Sequence, residues 1–158
     1  MAATAASLRA MRGRLTRVFS VLLVAAAVMA FGLVRHGHAA DDALYRDLGE
    51  TAGIAKIIDA AMDNFLADPR IKDEFDNINI ERLKSRLVDH FCVISGGPCR
   101  YAGRDMYAAH KGLHLNQASF NALAENVQFA MDKVGIPFRT QNRLMALLAA
   151  MQRDVVTR

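Results

Sequence analysis

Apolar positions from Leu44 to Val155 recur mostly at spacings of three and four, without sustained alternation, so this stretch reads as helices and no strands are expected. A short first helix, about Ala43–Leu48, stops at Gly49. The second is predicted over about Ala52–Ala67, with Ile54, Ile57, Ile58, Ala61, Met62 and Phe65 on one side, before Asp68-Pro69 ends it. A connector carrying Phe75 leads to a helix over Ile80–Ile94, which the run Ser95-Gly96-Gly97-Pro98 breaks. A brief helix, about Asp105–Lys111, closes at Gly112. Asn116 is placed to cap a longer helix whose stripe is Phe120, Leu123, Ala124, Val127, Ala130, Met131 and Val134. Gly135 and Pro137 separate it from a last helix presenting Leu144, Leu147, Leu148, Met151 and Val155.

The opening segment does not share this pattern. Residues 1–40 contain no acid; Arg9, Arg12, Arg14 and Arg17 precede an apolar run from Val18 to Val34, and Gly37-His38-Ala39-Ala40 supplies the small residues of a cleavage site. Residues 1–40 are therefore expected to be a signal peptide or an N-terminal membrane anchor through residues 18–34, with 41–158 as the folded domain. The protein is then periplasmic or exported, or held on the inner membrane facing the periplasm. Five of the 20 Lys and Arg lie in this segment and none of the 16 Asp and Glu, which leaves 15 basic against 16 acidic residues in the domain. That balance removes nucleic acid as an expected partner.

Cys92 and Cys99 are separated by six residues, which is neither a redox Cys-x-x-Cys nor the Cys-x-x-Cys-His of covalent haem attachment. Export and closeness in sequence predict a structural disulfide between them; the alternative is a buried free Cys92 with Cys99 exposed.

Candidate chemistry centres on Gly96–Leu115. Met106 and His110 are four apart on one helical face, where a neutral imidazole can ligate iron while its other nitrogen donates to a backbone carbonyl. Leu83, Arg86, Leu87, His90 and Phe91 share one face of the preceding helix. An apolar face with a cation at its edge suits a porphyrin with anionic propionates, and equally an ordinary core stripe with Arg86 reaching water.

These pieces stand in an order that resembles the group I truncated haemoglobins across nearly the whole domain. The carriers are Leu44-Tyr45-Arg46-Asp47-Leu48-Gly49, Leu66-Ala67-Asp68-Pro69-Arg70 with Phe75, and Arg82-Leu83-Lys84. Ser95-Gly96-Gly97-Pro98, Tyr101-Ala102-Gly103-Arg104-Asp105-Met106 and His110-Lys111-Gly112-Leu113 continue the series. The resemblance implies an all-α, two-over-two helical sandwich around non-covalent haem b, with His110 as the proximal iron ligand. It sets Phe75 against the porphyrin, Leu83, Leu87 and Phe91 on the distal side, Arg86 near the propionates, and Met106 and Tyr101 among the cofactor contacts. The family's first Gly-Gly turn is here Gly49-Glu50.

The ligand side departs further, because the family's distal tyrosine and glutamine fall on Met62 and Leu87, neither of which can donate a hydrogen bond. The expected function is reversible binding of a diatomic gas, O₂ before NO or CO, with a reductase as an electron-donating partner. The alternatives are a nitric oxide dioxygenase or peroxidase-like enzyme, which an apolar distal side disfavours, and a six-coordinate electron carrier using Met62 or His90. A haem-free helical interaction module is the reading left if the resemblance is accidental.

Overall fold

The turn after the first helix shows how closely the chain is folded back. In the computed structural model, which describes residues 42–157, helix α1 (Ala43–Asp47) is closed by Gly49, whose N–H donates to the Arg46 carbonyl at 2.9 Å. Helix α2 (Glu50–Ala67) starts at once, two residues earlier than the apolar pattern predicts. Gly49 lies at φ +82° and Glu50 at +58°. Glu50 thus takes a left-handed conformation, at a cost of about 1 kcal/mol that a second glycine would avoid. The predicted leader lies outside the described residues.

Helix α2 buries Ile54, Ile57, Ile58, Ala60, Ala61, Met62 and Phe65 and ends at Asp68, which is extended as a residue preceding proline must be. The connector is a 3₁₀ turn, Lys72–Phe75. Helix α3 (Ile80–Ile94) is capped by Asn79, whose side chain accepts from the Arg82 N–H at 2.9 Å. Helix α4 (Met106–His110) follows an irregular loop. Helix α5 (Gln117–Lys133) is capped by Asn116, which accepts from the Ser119 N–H at 3.0 Å.

The last predicted helix is two: α6 (Phe138–Ala150) and α7 (Gln152–Val155), divided at Met151. The break redirects the chain end onto the loop after α4, where the Thr157 N–H donates to the Leu115 carbonyl at 3.0 Å. Apolar spacing continues across Met151, so only this tertiary contact reveals the change of direction.

Helix α2 packs chiefly on α5 and α3, and α5 also meets α6, so the α2–α3 pair lies over the α5–α6 pair. Leu48, Ile54, Ile57, Ile58, Val127, Met131 and Leu144 are sealed between them, each stabilising the fold by about 1.5–3 kcal/mol. No strand occurs among the described residues.

Polar groups lock the layers where apolar contacts alone would let them slide. The Asn126 amide donates to Asp68 Oδ2 at 2.6 Å and to the Ala122 carbonyl at 2.9 Å, and Asn64 donates to the Asn126 carbonyl at 3.1 Å. Arg70 links Asp68 and Glu125, each at 2.7 Å. Its guanidinium, with the Asn126 amide, holds the Asp68 carboxyl well below the usual carboxylate range. The end of α2 is thereby tied to the middle of α5.

Candidate functional site

Helix α4 is too short to be stable alone and is held from outside. Asp105 caps it, accepting from the Ala108 N–H at 2.7 Å, and α7 packs against it. Its last residue is His110, half-buried, with Nδ1 2.7 Å from the Met106 carbonyl oxygen. A carbonyl only accepts, so Nδ1 carries the proton and the Nε2 lone pair is left to bind an electrophile. The same hydrogen bond restricts rotation of the ring, as in a metal-binding histidine held by a second contact. Among the described residues no group of three or more His, Cys, Asp or Glu is placed to hold a metal ion.

Helix α3 supplies a second wall. Leu83 and Leu87 are partly buried against the core, and Phe91 is buried. His90 is half-buried, its ring tilted against Tyr101 with centroids 5.1 Å apart. Tyr101 is itself anchored, donating from its hydroxyl to the Arg104 carbonyl at 2.9 Å. His90 Nε2 is buried without a hydrogen-bond partner. Burial pushes the His90 pKa down, and His110 adds to that shift, so His90 tends to the neutral form.

Arg86 stands toward the surface of α3, with Asp89 4.0 Å away. Met62 is buried in the α2 core. Phe75 stacks on Phe65 with centroids 5.4 Å apart and rings within 4° of parallel. Phe65, three residues beyond Met62 on the same apolar stripe of α2, is the buried ring that positions Phe75.

Cys92 and Cys99 form a disulfide, with Cα atoms 5.8 Å apart. It clips the end of α3 to the loop that leads through Tyr101 to α4. Gly97 lies inside that clip, and a Cβ there would stand 2.6 Å from both Cys92 Sγ and Tyr45 Cδ2. The Ser95 hydroxyl closes the helix end by donating to the Phe91 carbonyl at 2.7 Å.

These features suit a flat apolar cofactor with an anionic edge. The chain offers one free imidazole nitrogen on α4, an apolar face on α3, a cation on that helix and an unpartnered buried nitrogen at His90. The orphaned nitrogen is the particular observation of fit, since a buried polar atom without a partner costs about 1–3 kcal/mol.

A family model described as bacterial-like globin matches residues 43–157. The chain is similar to a group 1 truncated hemoglobin of Tetrahymena pyriformis, 26% identical over 113 residues, which is 72% of this chain and 93% of the relative. A group 1 truncated hemoglobin of Tetrahymena thermophila is 31% identical over 93 residues, 59% of this chain and 77% of that one. The solved Fe(III) form of truncated hemoglobin from Tetrahymena pyriformis superposes with a TM-score of 0.71 at 25% identity, covering 73% of this chain and 98% of that one. The 2/2 hemoglobin of Synechococcus sp. PCC 7002, solved in the cyanomet state with covalently attached heme, gives a TM-score of 0.69 at 27% identity, with the same coverage.

Proposed function

The chain belongs to the bacterial-like globin family as a group I truncated globin, and from that membership we propose that it holds haem b non-covalently through His110 and reversibly binds a diatomic gas, O₂ first. The observation that carries the proposal is the hydrogen bond from His110 Nδ1 to the Met106 carbonyl, 2.7 Å, which leaves Nε2 as a basic, oriented donor atom. Haem held by His110 would supply an iron able to take a small gaseous ligand. Leu83, Leu87 and Phe91 would cover one face of the ring and exclude water, Met106, Tyr101 and Phe75 would contact it, and Arg86 would meet a propionate.

Met62 and Leu87 themselves supply no donor, so a bound ligand is polarised less than in a relative with donors at both positions. This favours gas binding over nitric oxide dioxygenase or peroxidase chemistry, for which a charge-stabilising donor matters most. Export to the periplasm, with or without retention on the inner membrane, is part of the same proposal and rests on the acid-free leader. Among the described residues no helix is long and apolar enough to cross a membrane.

The test is an absorption spectrum of the purified protein after haem addition, beside His110→Ala. The expected result is a haem b spectrum whose reduced form is five-coordinate and shifts on adding O₂ or CO, with haem retention lost in His110→Ala. An unaltered reduced spectrum in His110→Ala would refute the ligand assignment. Sharp low-spin bands before any gas is added would favour the electron-carrier reading.

A further inference from the structure

An apolar distal side leaves a bound polar ligand without a hydrogen bond, yet one nitrogen near His110 has no partner. Resting on the haem reading above, we infer that His90, through Nε2, is the group that hydrogen-bonds a diatomic ligand in this site, replacing the donors missing at Met62 and Leu87.

Met62, Leu83, Leu87 and Phe91 carry no N–H or O–H on their side chains. The Tyr101 hydroxyl is engaged at the Arg104 carbonyl. Arg86 is partly solvated and lies beside Asp89. His90 remains, and among these side chains its Nε2 is the one buried without a hydrogen-bond partner; Asp42, Gln141 and Thr157, which also carry unpaired buried oxygens, are not on the distal side. Native proteins rarely bury a polar side-chain atom unpaired, and such an atom points to a partner that arrives separately.

Position supports the same assignment. His90 lies three residues beyond Leu87 on α3, so both belong to one helical face. Tyr101, from the loop leading to α4, packs its ring against the His90 imidazole and limits the ring's freedom to swing away. The Cys92–Cys99 clip holds that loop to the end of α3 two residues beyond His90. Burial favours a neutral His90 ring. With nothing bonded to Nε2, the proton of a neutral ring is free to sit there when an acceptor arrives.

The experiment compares the haem-loaded wild-type protein with His90→Phe and His90→Gln, reading the C–O stretching frequency of the CO complex and the rate of O₂ release. Phenylalanine fills similar space without an N–H, and glutamine keeps a donor. Loss of a neutral hydrogen bond is expected to speed O₂ release about 2–12-fold in His90→Phe, to raise the C–O stretch, and to be partly restored in His90→Gln. The same stretch and release rate in His90→Phe as in wild type would overturn the assignment while leaving haem binding intact. A gas-free low-spin spectrum that disappears in His90→Phe would also overturn it, by showing that His90 occupies the iron itself. Failure of the wild-type protein to take up haem would overturn the cofactor reading and this inference together.

Discussion

Removing the Cys92–Cys99 disulfide tests how the distal helix and the loop to the proximal helix are held together. The bond closes a loop with a sequence separation of 7. Loop-closure entropy for a ring of about eight residues is roughly 8 cal/mol/K, so the bond raises the free energy of the unfolded chain by about 2.5 kcal/mol at 25 °C relative to its reduced form. The ring is short, so the contribution is well below that of a long-range bridge. For a domain of roughly 120 residues, 1 kcal/mol moves the melting midpoint by about 4 °C, so Cys99→Ser is expected to melt about 10 °C lower. Cys99 is the better target because Cys92 is wholly buried, whereas Cys99 is only partly covered. Melts followed by circular dichroism, on oxidised wild type, reduced wild type and Cys99→Ser, give the comparison. The last two should agree. The reasoning is refuted if reduction and substitution both leave the midpoint within about 2 °C of oxidised wild type, or if thiol counting without reductant finds two free thiols.

Gly97→Ala is expected to cost about 1–3 kcal/mol in urea unfolding, because the new methyl group meets Cys92 Sγ and the Tyr45 ring, both at 2.6 Å. Tyr45 cannot retreat freely, since its hydroxyl is 2.9 Å from Thr51 Oγ1; an unchanged urea midpoint would contradict this account. Asp68 has a folded-state pKa depressed first by its hydrogen bonds with Arg70. Its contribution is therefore present above the unfolded value near 3.8 and lost as pH falls toward the lower folded value. Urea unfolding from pH 6 down to pH 2 should accordingly show a shallower acid loss in Asp68→Asn than in wild type, and parallel curves would refute it.

Much of the helical layout was legible because it depends on neighbours in sequence. The stripe on Ile80–Ile94 ended where Ser95-Gly96-Gly97-Pro98 broke it, and Asn116 capped α5 as its side chain and position predict. The second helix began earlier than its pattern, because Glu50 accepts a left-handed backbone that its residue type disfavours. The division at Met151 left no trace in apolar spacing; it follows from the tie between Thr157 and Leu115, about forty residues apart in sequence.

At the site, residue type and order determined which side chains were candidates: His110 four residues after Met106, an apolar face on α3, and no donor at Met62 or Leu87. Residue type carries those properties wherever the chain goes. Tertiary structure decided which atoms were already used. It engaged His110 Nδ1 at a carbonyl and the Tyr101 hydroxyl at Arg104, and left His90 Nε2 buried without a partner. Hydrogen-bond satisfaction belongs to a place and not to a residue, because it depends on every group that folding brings within about 3 Å. His90 reads in sequence as one distal candidate beside Met62 and Leu87; the surrounding fold is what leaves its Nε2 buried without a partner.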